Sequence, residues 1–91
     1  MNDVRRDYEI INKLGLHARA AATLVRVASQ FEAQISLSKK GMVVDGKSIL
    51  GMMSLAAAKG SIITVVCSGA DQEEAIEAIG QCIRDRFGED E

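Results

Sequence analysis

The sequence predicts a small α+β domain in which helices cover one face of an antiparallel sheet. Segments with strand and helix patterns follow one another in the order strand, helix, strand, strand, helix, strand, helix. Each helical pattern has one apolar face, as expected for a helix that packs on a sheet. The 91 residues, 47% hydrophobic and 26% charged, fit one globular domain spanning 1–91 with a single core.

Four segments predict the strands. DYEIIN predicts the first strand, and AQISLS alternates with Ala33, Ile35 and Leu37 on one face, which indicates a half-buried second strand. Gly41 allows a tight turn into MVVD, the returning strand of a hairpin. SIITVVCS is rich in β-branched residues and predicts the fourth strand.

Three segments predict helices. The first helix spans about 18–30, a short second helix begins at Ser48, and the last begins after Asp71, which is predicted to cap it with Glu74 three residues on. The final residues, 85–91, are predicted to form a frayed acidic tail. The apolar stripes of the first and last helices comprise Ala21, Leu24, Val25 and Ala28, and Ile76, Ile79, Ile83 and Phe87.

Composition argues against several functional classes. The formal net charge is −2 and aromatic content is 3%, whereas proteins that bind single-stranded nucleic acid combine a basic surface with stacking aromatic residues. The sequence has neither a membrane-spanning apolar stretch nor an N-terminal signal core, so we expect a cytoplasmic protein without nucleic-acid or membrane partners. Cys67 and Cys82 lack zinc spacing and predict buried, reduced thiols. We expect a monomer without metal or cofactor.

The single histidine, His17, falls where the first helix begins. The first backbone N–H groups of a helix have no intrahelical partner, so this end attracts anions and favours a neutral, nucleophilic imidazole. Gly15 allows the backbone to turn, and the Arg19 guanidinium suits phosphate oxygens. These features indicate a phosphoryl acceptor, and the alternative is a surface histidine that caps the helix or packs. A hydrolytic triad is disfavoured because no serine or cysteine is evidently paired with His17.

Two motifs, GLHARAA and GKSILGMMSLAAAKGSIITV, resemble those of the HPr family of histidine-containing phosphocarriers in the bacterial phosphoenolpyruvate-dependent phosphotransferase system. The resemblance runs from about Tyr8 to Phe87. It implies an open-faced β-sandwich, a four-stranded antiparallel sheet with three helices on one face. The family members are carriers in a phosphotransfer relay rather than autonomous enzymes.

The same resemblance implies a role for each residue around the histidine. His17 would accept a phosphoryl group on Nδ1 from enzyme I and donate it to enzyme II A-domains for sugar uptake or regulation. Arg19 would neutralise the phosphoryl oxygens, and the backbone N–H groups of Ala18, Arg19 and Ala20 would bind them, as the N-terminus of a helix does.

The second motif contains Ser48, which by itself predicts an N-cap whose hydroxyl accepts from the Gly51 N–H. The resemblance adds regulatory phosphorylation of Ser48 by HPr kinase/phosphorylase and a possible transcriptional regulator as partner. It also implies that Ile49, Leu50 and Met53 form an apolar docking patch with Arg26 at its rim. The spacing of these three side chains is equally typical of core residues.

The sequence departs from the family at two positions. Ala20 stands where the family normally has proline, and Leu14 stands where it often has a small polar residue, with Asn12 two residues further back. NKLGLHAR resembles the nitrogen-related branch of the system, whereas the serine motif resembles the sugar branch, and we favour the sugar or regulatory branch. The alternatives are a nitrogen-related carrier and a purely regulatory binding module.

Overall fold

The computed structural model describes residues 2–91 and has the predicted order of elements. The open-faced α+β sandwich is confirmed, with four strands and three helices in that part of the chain. The strands are β1 (Val4–Glu9), β2 (Gln34–Lys39), β3 (Met42–Asp45) and β4 (Ile62–Ser68), and the helices are α1 (Ala18–Ala28), α2 (Ile49–Ser54) and α3 (Gln72–Arg84), followed by a 3₁₀ turn at Arg86–Gly88.

The sheet is antiparallel throughout, with the strand order β1-β4-β2-β3. Its two central strands, β4 and β2, pair Leu37 with Val65, and both side chains are fully buried. The predicted alternation along the second strand is confirmed, since Ala33, Ile35 and Leu37 are all buried. One face of the sheet therefore packs into the hydrophobic core.

The helices supply the other half of the core. Fully buried side chains project from one face of α1 and of α3, and α1 ends at Ala28, two residues before its predicted end. Helix α3 approaches β1 closely at Gly80: a Cβ added there would lie 2.5 Å from the Tyr8 hydroxyl oxygen, so only glycine fits without a shift. The Tyr8 hydroxyl donates to the Ile76 carbonyl at 3.3 Å. The buried helix residues are Ala20, Ala21, Leu24 and Ala28 in α1 and Ala75, Ile76, Ile79, Gly80 and Ile83 in α3.

Asp71 does not cap α3 with its side chain, so that prediction is wrong. Its carboxylate accepts instead from the backbone N–H groups of Glu32 and Ala33, both at 2.9 Å. These two hydrogen bonds, the Glu32 bond foremost, lower the pKa of Asp71. Asp71 thus joins the start of α3 to the segment before β2, a contact between residues far apart in the sequence.

The C-terminal segment is also not the frayed tail predicted for 85–91. Helix α3 ends at Arg84, and Phe87 reaches the core from the 3₁₀ turn, where it is 5% exposed. Arg86 and Phe87 both have left-handed backbone with φ of 56°, which redirects the chain after α3. Burial of the Phe87 ring gives the segment the apolar anchor that a terminal tail usually lacks.

The two cysteines are free thiols in different surroundings. Cys67 is fully buried in β4, and Cys82 is half-buried on α3. Burial raises the pKa of both thiols to about 11. Both thiols therefore stay protonated near neutral pH, and neither has the character of a reactive thiolate.

Candidate functional site

His17 is the N-cap residue of α1, with extended backbone at φ −80° and ψ −178°. The first intrahelical hydrogen bond runs from the Ala21 N–H to the His17 carbonyl at 2.8 Å. The N–H groups of Ala18, Arg19 and Ala20 precede that bond and have no carbonyl acceptor within the helix. The imidazole makes no capping hydrogen bond, and its side chain is 30% exposed. An anion at the start of α1 would therefore meet unpaired donors beside an accessible ring.

Gly15 fixes the approach of the chain to His17. Its φ is +70°, and an added Cβ would lie 2.6 Å from the Ala57 carbonyl oxygen. That carbonyl accepts from the Leu16 N–H at 2.9 Å, so the loop before α1 is joined to the loop after α2. Glycine is needed here both for the left-handed backbone and for this close approach.

Glu89 contacts the imidazole from the C-terminal segment. The Nε2 atom of His17 lies 2.5 Å from Oε2 of Glu89, and the Glu89 side chain is only 15% exposed. The other oxygen, Oε1, accepts from the Asn12 amide at 3.0 Å. Sequence reasoning missed Glu89, because the residues are 72 positions apart and no local pattern marks an acidic residue near a chain end as a ligand of an imidazole.

Asn12 is fully buried and holds the Glu89 carboxylate in this contact by donating a hydrogen bond to it. Its amide also donates to the Gly15 carbonyl at 2.8 Å, and its Oδ1 has no hydrogen-bond partner within residues 2–91. The Asn12 hydrogen bond is the main cause that lowers the pKa of Glu89; the His17 ring and the Arg19 charge act in the same direction and burial opposes them. The Glu89 carboxylate is therefore ionised near neutral pH.

Charged side chains surround the ring. Arg19 is exposed and lines one open pocket with His17, Lys13 and the segment from Phe87 to Glu91. The Lys13 backbone N–H donates to the Glu91 carbonyl, and the Lys13 ammonium lies 3.3 Å from the Glu91 carboxylate. The structure thus places His17 and Arg19 together at the start of α1, and the C-terminal segment lines the same pocket.

Ser48 occupies the predicted N-cap of α2. Its hydroxyl oxygen accepts from the Gly51 N–H at 2.9 Å. Neither Ser48 nor a side chain of α2 lines the pockets around His17; residues 56–58, after the helix, do so.

The predicted docking side chains are exposed rather than in the core. Ile49, Leu50 and Met53 are 41%, 80% and 41% exposed, whereas Met52 of the same helix is fully buried. Arg26 is exposed in the last turn of α1. Leu14, which was not predicted to belong to the docking patch, is 67% exposed and lines two pockets that contain His17.

Comparison with known proteins identifies the family. Residues 4–85 match the family model described as the PTS HPr component phosphorylation site. The chain belongs to the HPr family. As a member of this family, it is a phosphocarrier of the phosphotransferase system.

Relatives and solved structures of HPr proteins agree with this assignment. The chain is 50% identical to the phosphocarrier protein HPr of Cupriavidus necator, over 97% of this chain and 99% of the relative. It is 48% identical to that of Neisseria meningitidis serogroup A, with the same coverage. The crystal structure of HPr-C-His from Thermoanaerobacter tengcongensis superposes with a TM-score of 0.91 at 44% identity, covering both chains completely. Within residues 2–91, no helix is long and apolar enough to cross a membrane.

Proposed function

We propose that Nδ1 of His17 accepts a phosphoryl group from enzyme I, which is charged by phosphoenolpyruvate, and donates it to enzyme II A-domains. The observation that carries this proposal is the imidazole at the N-cap of α1 with Nε2 already in contact with Glu89. Nδ1 is then the ring nitrogen free to act as the nucleophile.

The bound phosphoryl group is held by the start of α1 and by Arg19. The N–H groups of Ala18, Arg19 and Ala20 have no intrahelical acceptor, and those of Ala18 and Arg19 donate to the phosphoryl oxygens. The Ala20 N–H is not required, because proline, which has no N–H, normally stands at this position in the family. The exposed Arg19 guanidinium adds a planar pair of charged donors. Because the pocket is open to solvent, the group is stabilised without being enclosed, as a carrier that must release it requires.

Partners dock on the apolar side chains of α2. Ile49, Leu50 and Met53 are exposed on one short helix, and Leu14, which lines the pocket of His17, is a further exposed apolar side chain. Exposed apolar patches of this kind mark interaction surfaces, and unbranched methionine adapts to several partners. Arg26 supplies a charged rim.

The presence of a single histidine makes the first test direct. With phosphoenolpyruvate and enzyme I, the protein should gain one acid-labile phosphoryl group, and His17→Ala should gain none while folding normally. Transfer onward is then measured with purified A-domains from the sugar and nitrogen branches, and we expect the sugar-branch domain to be the faster acceptor. Labelling of His17→Ala equal to that of the wild type would refute the assignment.

We also propose that Ser48 is a regulatory phosphorylation site for HPr kinase/phosphorylase. Ser48 is partly buried at the N-terminal end of α2, and the exposed Ile49 and Leu50 follow it directly in the chain. A phosphate there would add a charge of about −1.5 to −2 next to the docking patch. That charge would weaken apolar docking of enzyme I and create a surface for a transcriptional regulator.

Ser48 is tested with the kinase and ATP. The wild type should gain acid-stable phosphate and Ser48→Ala should not, whereas Ser54→Ala, at the end of the same helix, should be labelled normally. Phosphorylation at Ser48 should slow the reaction with enzyme I, and an undiminished rate would contradict the regulatory role. Ser48→Ala should itself cost about 1 kcal/mol of folding stability through the lost cap, measured by urea unfolding.

A further inference from the structure

The C-terminal segment places the Glu89 carboxylate at Nε2 of the imidazole, and the proposed nucleophile is the other ring nitrogen, Nδ1. Both oxygens of Glu89 are occupied: Oε2 lies 2.5 Å from His17 Nε2, and Oε1 accepts from Asn12 at 3.0 Å. Asn12 is itself fixed by complete burial and by its hydrogen bond to the Gly15 carbonyl. The carboxylate is therefore constrained on both sides rather than free on a mobile tail.

Several independent contacts bring Glu89 to this position. The left-handed backbone of Arg86 and Phe87 turns the chain, and the buried Phe87 ring anchors it. Beyond Glu89, the Glu91 carbonyl accepts from the Lys13 N–H. The segment is thus attached to the domain on each side of Glu89, which is the arrangement needed to hold one side chain in a defined orientation.

We propose that Glu89, held by Asn12, is a positioning residue that keeps the proton of the neutral His17 imidazole on Nε2 and so presents the lone pair of Nδ1 to the phosphoryl donor. An ionised carboxylate accepts hydrogen bonds and cannot donate one, so its contact with Nε2 selects the Nε2–H tautomer. The inference rests on the proposed function, because it names the residue that positions the imidazole of the same histidine.

The transfer step balances without any proton moving. The Nδ1 lone pair forms the new N–P bond, and the bond between phosphorus and the donor breaks, with its electron pair leaving on the donor. The phosphorylated ring then carries a positive charge with its proton still on Nε2, opposite the Glu89 carboxylate. In the onward step the cationic ring departs as a neutral imidazole, and the same carboxylate accepts its Nε2–H throughout.

The transfer rate and the tautomer of His17 together separate positioning from a simple effect of charge. The groups around the ring are Arg19 and Lys13, which are cationic, and Glu89, Asp90 and Glu91, which are anionic. If Glu89 acted only by repelling the incoming anion, removing its charge would speed phosphorylation. If it acted only by stabilising the cationic ring, removing its charge would slow transfer and leave the Nε2–H tautomer unchanged. If Glu89 positions the ring, removing the charge slows the reaction, because a glutamine amide can also donate to Nε2 and release the tautomer.

The test compares Glu89→Gln with Glu77→Gln. Glu77 lies on α3 outside the pocket of His17, and its carboxylate forms an exposed ion pair with Arg6 of β1. ¹⁵N NMR of the imidazole reports which nitrogen carries the proton, and phosphotransfer from enzyme I reports the rate. We expect Glu89→Gln to lose the single Nε2–H tautomer and to transfer about tenfold more slowly, the effect of one lost charge-assisted hydrogen bond. Glu77→Gln should match the wild type in both measurements.

A second variant tests Asn12. Asn12→Ala should slow transfer, and the double variant Asn12→Ala with Glu89→Gln should be no slower than Glu89→Gln alone, since both act through one carboxylate. A wild-type tautomer in Glu89→Gln at any rate of transfer, or transfer at least as fast as in the wild type, would overturn the inference while leaving the proposed function intact. A wild-type protein that gains no acid-labile phosphate would refute the proposed function and the inference together.

Discussion

Gly15→Ala is expected to destabilise the protein through the backbone that carries His17. The φ of +70° is unfavourable for alanine by roughly 1–2 kcal/mol. The new Cβ would also lie 2.6 Å from the Ala57 carbonyl oxygen and 2.9 Å from the Ala58 Cα, so one of the two loops must move. Such movement removes the Leu16–Ala57 hydrogen bond, worth about 1 kcal/mol, and adds packing strain of about 1 kcal/mol or more.

The substitution has a matched control in the hairpin turn. Gly41 has φ +87° and no atom within 4 Å of an added Cβ, so Gly41→Ala carries the backbone cost without the clash. After the gain of about 0.4–1 kcal/mol from a stiffer unfolded chain, we expect a loss near 1 kcal/mol for Gly41→Ala and about 2–4 kcal/mol for Gly15→Ala. Urea unfolding measures both variants. Equal losses would show that the contact with Ala57 does not restrict position 15 and would refute the steric argument.

Three further substitutions test the fold around the site. Phe87→Ala should cost about 3 kcal/mol of unfolding free energy by leaving a cavity, and its NMR spectrum should show Glu89 released from His17; an unchanged stability would contradict the buried anchor. Asp71→Asn should lower the free energy of unfolding at neutral pH and make it fall less steeply as the solution is acidified. The pKa of Asp71 is lowered in the folded protein, so its stabilising contribution is present above the unfolded pKa of about 4 and is lost as pH falls through the folded value. Parallel acid-unfolding curves for variant and wild type would argue against this. Ala20→Pro should stabilise by about 0.4–1 kcal/mol, because its N–H precedes the first intrahelical bond; the phosphotransfer equilibrium should not change, and a tenfold shift toward unphosphorylated protein would instead assign the Ala20 N–H to the phosphoryl group.

The sequence was sufficient to predict the features that depend only on residues close together in the chain. Alternation predicted the buried face of β2, and the N-cap at Ser48 and the start of α1 at His17 followed from local residue types. These features have a local cause, since strand pleat, helix period and capping each involve residues at most a few positions apart. The family motifs are short for the same reason, and they place His17 beside Arg19 without any knowledge of the rest of the fold.

Tertiary structure decided what the isolated signals left ambiguous. Asp71 has the local pattern of a helix cap, yet its carboxylate meets two backbone N–H groups 38 and 39 residues away. The side chains of α2 have a spacing typical of core residues, and only the packing of α2 leaves Leu50 80% exposed while Met52 is buried.

The contact between Glu89 and His17 shows why some features can be predicted from the sequence and others depend on the tertiary structure. The acidic composition of the last residues predicts a solvated tail, because no local interaction can order it. The core formed by the earlier elements accepts the Phe87 ring, and that burial brings Glu89 to an imidazole 72 residues away. The sequence by itself therefore determined the elements and the position of His17 at the start of α1. Folding determined which distant side chain contacts its ring, because residues 17 and 89 meet only when the core is complete.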